Sequence, residues 1–140
     1  MAVIDTSTEF GSRVAQRLAD EIVIWLTTTG AGDTPQPSPV WFYWDGESAL
    51  IYSQPNKPKL RNIERNPRVS LNFNSSFEGG DVVVFTGNAV VEPDVTPADQ
   101  HAAFVEKYTA GIASIGMTPA SFAAAYSVGI RVTPDKLRGF

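Results

Sequence analysis

Five cations crowd one stretch of an otherwise acidic chain. Lys57, Lys59, Arg61, Arg65 and Arg68 fall within twelve positions, opposed only by Glu64. They are five of the eleven Lys and Arg in a sequence of formal charge −4. A local positive patch on a negative body suits one specific anionic ligand. The same run also reads as a solvated helix face, and the residues alone leave both readings open. The net charge argues against a general nucleic-acid binder, which neutralises phosphates with excess Lys and Arg.

Other chemistry is sparse. There is no Cys, so disulfides, thiolate metal sites and Cys nucleophiles are excluded. The one His, His101, falls inside a predicted helix, where a catalytic part is not expected of it. No Gly-x-Ser-x-Gly elbow is present, and Gly79-Gly80 is not followed by the Lys-Ser or Lys-Thr of a phosphate loop. One His without Cys gives no metal-ligand spacing, so no metal is expected. Asp81, Glu92 and Asp94 form no evident acid–base pair, and no catalytic side chain is identified. An enzyme built this way leaves the hard chemistry to a cofactor. One further segment is suited to a ligand. Pro37-Ser38-Pro39-Val40-Trp41-Phe42 puts two prolines at the start of a strand, and each removes a ladder donor. That end is expected at an edge or a split of a sheet, with free backbone groups beside it. Trp41 and Trp44 add flat apolar surface on opposite faces. An ordinary edge strand with core aromatics would look the same.

The elements that position these residues follow from spacing. Thr6 and Glu9 have capping-box spacing, with Thr6 as N-cap. Phe10, Val14 and Leu18 continue as the apolar stripe of a helix to Asp20. Ile22–Thr29 reads as a buried strand and Gly30–Pro35 as a turn. Val40–Trp44 reads as a strand ending at the hairpin signal Asp45-Gly46, with Ala49–Ser53 returning. A loop with Pro55 and Pro58 leads into a short helix. Leu60 and Ile63 face inward on it, the cations face outward, and Asn66-Pro67 ends it. Arg68–Phe73 and Val82–Val91 are strands, the second with a bend expected at Gly87. Thr96-Pro97-Ala98-Asp99 opens a helix toward Gly111, and Thr118-Pro119 opens another through Ala125 or Tyr126. Val128–Val132 is a sixth strand, extended past Pro134 by Lys136–Phe140. The 140 residues predict one domain, a mainly β barrel of six short strands with helices outside it. No long apolar run or basic N-terminal region suggests a membrane span or signal peptide, so a cytoplasmic location is expected.

Several segments, taken in order, carry a resemblance. They are Pro37–Gly46; Tyr52-Ser53 followed by Lys57-Pro58-Lys59; Leu60–Leu71; Thr86-Gly87-Asn88-Ala89; and Arg131-Val132-Thr133-Pro134 near Arg138-Gly139-Phe140. From Ser12 to Phe140 the chain resembles the pyridoxamine 5′-phosphate oxidase-like split β-barrel proteins. Within them it looks most like the actinobacterial branch that uses the deazaflavin coenzyme F-420. The resemblance implies a six-stranded antiparallel Greek-key split barrel, working as a homodimer with the cofactor in the groove between subunits. Ser38, Pro39, Val40 and Trp41 match the strand against the tricyclic ring. Tyr52 and Ser53 match the strand end beside the ring or ribityl chain. Lys57 and Lys59 match the phosphate-holding positions, and Arg61 would meet the acidic tail of a deazaflavin or solvent. The larger C-terminal substrate region of pyridoxamine 5′-phosphate oxidase is missing, and Ser38-Pro39 stands where those enzymes have a basic start. Both departures argue against pyridoxal chemistry. The implied activity is an F-420-dependent reductase delivering a hydride to an electron-poor small molecule, with Tyr52 or solvent as proton source. The alternatives are an FMN-binding oxidoreductase and a non-catalytic module for heme, another tetrapyrrole or the cofactor itself.

Overall fold

Alternating side chains over residues 23–29 are buried at every second position, which is the mark of a strand between a core and a second layer. Around this strand the computed structural model, which describes residues 2–140, winds one curled antiparallel sheet. The helix α1 (Glu9–Asp20) comes first, then β1 (Val23–Thr29), β2 (Pro35–Trp41), β3 (Tyr43–Trp44) and β4 (Ala49–Ser53). Then follow α2 (Pro58–Arg65), β5 (Arg68–Asn72), β6 (Val83–Glu92), α3 (Ala102–Ser114), α4 (Pro119–Ala125) and β7 (Val128–Gly139). The seven strands lie in the order β2-β1-β5-β6-β7-β4-β3. Among the described residues no helix is long and apolar enough to cross a membrane.

The strand count corrects the expected six. The run read as one strand over 40–44 is divided at Phe42. Trp41 pairs with Val23 of β1, whereas Tyr43 pairs with Leu50 of β4. β1 and β4 lie toward opposite ends of the sheet order, so one chain segment serves both edges and rolls the sheet up on itself. Pro35, Pro37 and Pro39 all lie within β2, at the sheet's edge. The predicted turn therefore ends one residue early, at Thr34. A proline has no N–H to give the β1 ladder, so that ladder runs through Gln36, Ser38 and Val40, and the carbonyls of the three prolines face away from β1.

Other expectations needed smaller corrections. Thr8, not Thr6, caps α1: its Oγ1 accepts the Gly11 N–H at 2.9 Å. The Asp5 carboxylate accepts the Ser7 N–H and hydroxyl at 3.0 and 2.6 Å, and this turn takes up Thr6 before the helix begins. Ile22 stays outside β1 and is 45% exposed. The bend at Gly87 is present as a register shift, with Thr86 opposite Lys136 and Gly87 opposite Pro134. A Cβ at Gly87 would lie 2.3 Å from the Thr133 carbonyl oxygen, so only glycine fits. β7 runs unbroken through Pro134 to Gly139. The Asp45-Gly46 hairpin forms as expected, with the Asp45 carboxylate accepting the Glu47 and Ser48 N–H groups at 2.8 and 2.7 Å.

Two apolar clusters result. The interior of this half-barrel holds Ile24, Leu26, Phe42, Ile51, Leu71, Phe85, Ile130 and Val132, with Val14 and Leu18 of α1 and Leu60 and Ile63 of α2 packed into the same cluster. A second cluster lies outside the barrel, where α3 and α4 pack Phe104, Tyr108, Ile112 and Phe122 on Leu50 and Tyr52. β4 is buried along its whole length because it lies between the two.

Candidate functional site

The residues at the C-terminal end of β4 alternate into and out of the second cluster, and the chain then turns into α2. That turn places Tyr52, Ser53, Gln54, Lys57 and Lys59 on one side of a cleft of about 410 Å³. Pro39, Val40 and Trp41 of β2 form a second side. Ile115, Phe122 and Tyr126, from the end of α3 and from α4, form the third. Seven of the nine sequence-selected positions therefore meet in one place: Pro39, Val40, Trp41, Tyr52, Ser53, Lys57 and Lys59. Ser38 and Arg61 stand outside the lining. Ser38 sits opposite Leu26 in the β1 ladder. Arg61 is exposed and donates to the Asn56 carbonyl at 3.4 Å.

The cleft lining has a cationic part and an aromatic part. Lys57 is the N-cap residue of α2, Pro58 occupies the first turn, and the helix's positive end faces the same space. Burial lowers the Lys59 ammonium below the ordinary lysine range, and the charge of Lys57 adds to the effect. Neither lysine is in an ion pair among the described residues. Two like charges held together without a counter-charge favour an incoming anion. The rest of the cationic run does not continue the patch. Arg65 donates to Asn62 Oδ1 at 3.0 Å, and Arg68 pairs with Asp135 at 2.5 Å and with Asn88 at 3.1 Å.

In the aromatic part the rings stack. Trp41 lies on Tyr108 with centroids 4.7 Å apart and planes 12° from parallel. Phe122 stacks on Trp41 at 5.6 Å, and Tyr126 on Phe122 at 4.4 Å and 13°. This ladder of near-parallel rings is the kind of wall on which a flat conjugated ligand packs. Tyr52 is tied down, since its hydroxyl donates to the Thr96 carbonyl at 2.7 Å and burial raises its pKa. The Ser53 hydroxyl donates to the Gln54 carbonyl at 2.8 Å.

His101 is not inside a helix. It is the N-cap of α3, where Nδ1 accepts the Phe104 N–H at 3.1 Å, and its ring meets the edge of Tyr43 away from the cleft. Among the described residues no group of His, Asp or Glu is placed to hold a metal ion. Sequence reasoning missed Gln54, Ile115, Phe122 and Tyr126. Phe122 and Tyr126 carried a usable signal, because their spacing of four puts both rings on one face of the helix opened by Thr118-Pro119.

A family model described as pyridoxamine 5′-phosphate oxidase matches residues 10–140. No curated protein matches the chain. Among solved structures, an F-420 reductase is 23% identical, with a TM-score of 0.68 over 88% of this chain and 94% of that one. A FAD-binding protein from Mesorhizobium loti is 19% identical, with a TM-score of 0.66 over 90% and 88%. The heme storage protein HutZ from Vibrio cholerae is 16% identical, with a TM-score of 0.65 over 94% and 95%. At these identities the three structures show the fold alone, whereas the family match covers nearly the whole sequence: the chain belongs to the pyridoxamine 5′-phosphate oxidase family.

Proposed function

We propose that the protein is an oxidoreductase that holds a flavin-type cofactor in the cleft of Trp41, Lys57 and Lys59. We further propose that the cofactor is the deazaflavin coenzyme F-420. When bound, this group supplies a hydride for transfer to a small electron-poor acceptor. The observation that carries the reading is one cleft lined both by two uncompensated lysines and by parallel aromatic rings. The ammonium groups of Lys57 and Lys59 hold a phosphate. The stack of Trp41, Phe122 and Tyr126 walls the space for a flat ring, and the carbonyl of Pro39 offers an acceptor at the sheet edge. The protein's contribution to rate is orientation and exclusion of water. Tyr52 is engaged with Thr96, so Tyr126 or solvent is the better proton source for an acceptor.

FMN on the same fold is the nearest alternative, because it too joins a tricyclic ring to a phosphate. Heme is a weaker one, since the lining offers neither His, Met nor Cys to iron and only tyrosine among common axial ligands. The deazaflavin carries a longer anionic tail, and Arg61 is the exposed cation beside the lysines that can meet it. Exposed contacts of this kind are each worth under about 1 kcal/mol and fade with salt. Fluorescence titration is expected to give tighter deazaflavin than FMN binding at low ionic strength, with the gap narrowing as salt rises. Tighter FMN binding at both salt concentrations would put FMN in its place. A Soret band in the purified protein would establish the heme-binding reading.

We also propose that the protein acts as a homodimer. An apolar groove beside α2 is lined by Pro55, Ala89, Val90, Pro93 and Val128, and Val90 is 59% exposed. A second copy would cover it, with a total interface above about 1,200 Å². Sedimentation at micromolar concentration decides: a monomer alone refutes the dimer.

A further inference from the structure

At Phe42 the barrel's closing segment leaves one sheet edge and joins the other, so the Phe42 backbone belongs to neither ladder. A buried peptide group without partners is costly, and α3 supplies both. The Tyr108 hydroxyl accepts the Phe42 N–H at 2.8 Å, and its one proton has the Ile22 carbonyl at 2.7 Å and the Phe42 carbonyl at 2.9 Å within reach, so one oxygen ties Phe42 to the residue just before β1. The Lys107 ammonium donates to the Phe42 carbonyl at 2.9 Å and sits 3.7 Å over the Phe42 ring. The Tyr108 ring is also the base on which Trp41 stacks. One turn further on, a Cβ at Gly111 would lie 3.1 Å from the Trp41 indole, so the glycine leaves α3 close enough to hold that ring. Trp41 in turn forms a wall of the cleft.

We propose that Tyr108 and Lys107 are positioning residues. They latch the crossover at Phe42 to α3 and to the start of β1, and through Phe42 and the stack on Trp41 they fix the wall of the cleft. Neither lines the cleft itself, although Tyr108 stacks on Trp41, which does. The consequence for ligand binding rests on the function proposed above, whereas the latch itself does not.

The test uses the ligand-free and ligand-bound full chain. Trp25→Phe/Trp44→Phe leaves Trp41 as the only indole of the three. In that background Tyr108→Phe keeps the stacked ring and removes the bridging oxygen. Val69→Ala, in the barrel interior on β5, is the control for lost stability alone. Tyr108→Phe is expected to raise acrylamide quenching of Trp41 at least twofold and to weaken binding of FMN or F-420 by about five- to tenfold. Val69→Ala should change neither. Lys107→Met should act in the same direction and replaces Tyr108→Phe if that variant does not fold. Unchanged quenching in a folded latch variant would refute the proposal, as would equal effects from Val69→Ala. Raised quenching with unchanged affinity would refute the part concerning the cleft. Raised quenching in a protein that binds none of FMN, F-420 or heme would leave the latch standing and reject the cofactor reading instead.

Discussion

Replacing Lys59 by Met should stabilise the protein and weaken its ligand at the same time. In the folded state the ammonium is half-buried and lies beside Lys57, and burial first and that charge second lower its pKa; among the described residues it has no acidic partner. A lysine whose folded pKa lies below its unfolded value lowers stability at neutral pH, because the unfolded chain binds the proton more tightly. Met keeps the apolar stem and removes the charge. Solvent screens much of the penalty, so the melting temperature is expected to rise by only about 1–3 °C. The effect on binding is opposite and larger. A charge-assisted bond to phosphate is worth about 1.5–3 kcal/mol, which predicts about a ten- to hundredfold loss of affinity for FMN or F-420. Lys57 is exposed, so Lys57→Met should cost less, about threefold. Thermal melts and fluorescence titrations on the same preparations separate the two effects, and inorganic phosphate should compete for the wild-type site. A Lys59→Met protein that melts lower and binds as tightly as wild type would refute the argument. The lysines would then be a solvated helix face.

Lys107 gives a pH signature: burial lowers its pKa from 10.5 to about 8 against the pull of Asp20 and Glu21. Stability should therefore rise with pH between about 8 and 10, by about 1 kcal/mol after screening. Above pH 10 the buried tyrosines Tyr108 and Tyr52, whose pKa values are raised by burial, begin to oppose it. Urea melts of wild type and Lys107→Met across this range check the slope, which the variant should lose in large part; Lys59 contributes in the same direction. Gly87→Val should destabilise by more than about 2 kcal/mol, because its Cβ would meet the Thr133 and Pro134 backbone. A melt within a degree of wild type would show that the β6–β7 register shifts freely. His101→Ala should leave cofactor affinity unchanged and cost about 1 kcal/mol as a lost helix cap, with His101→Asn restoring it.

The elements were legible where local rules dominate. Val14 and Leu18 mark the buried stripe of α1, Asp45-Gly46 the hairpin, Pro58 and Asn66-Pro67 the limits of α2, and Gly87 the irregularity in β6. Each follows from backbone sterics or side-chain period. Errors arose where one residue's role depends on a distant partner. Phe42 sits in an unbroken run of β-formers, and only pairing with β1 on one side and β4 on the other divides it. His101 reads as helix interior until the Phe104 N–H is placed on its ring nitrogen. Thr6 satisfied the capping-box pattern, yet Asp5 closed a turn around it and passed the cap to Thr8.

The candidate site was legible for the same reason and to the same depth. Its lining from β2, β4 and the start of α2 is nearly contiguous in sequence, so proline positions and lysine spacing pointed to it. Its third wall comes from α4, more than sixty residues later, and no local rule brings Tyr126 to Lys59. The cationic run shows the converse. Five charges close in sequence read as one patch, but a helix turns about 100° per residue, which sets Lys59 and Arg61 on opposite sides of α2. The turn sends Lys59 toward the cleft, Arg61 to solvent and Arg65 to Asn62, while Arg68, already in β5, reaches Asp135 on β7. A charge run therefore fixes how much charge a surface holds, and the elements around it decide how much of that charge any one ligand meets. Here that share is two lysines, enough for a single phosphate; Arg61 adds at most a weak, salt-screened contact, so most of the specificity beyond the phosphate must come from the aromatic wall that α3 and α4 bring.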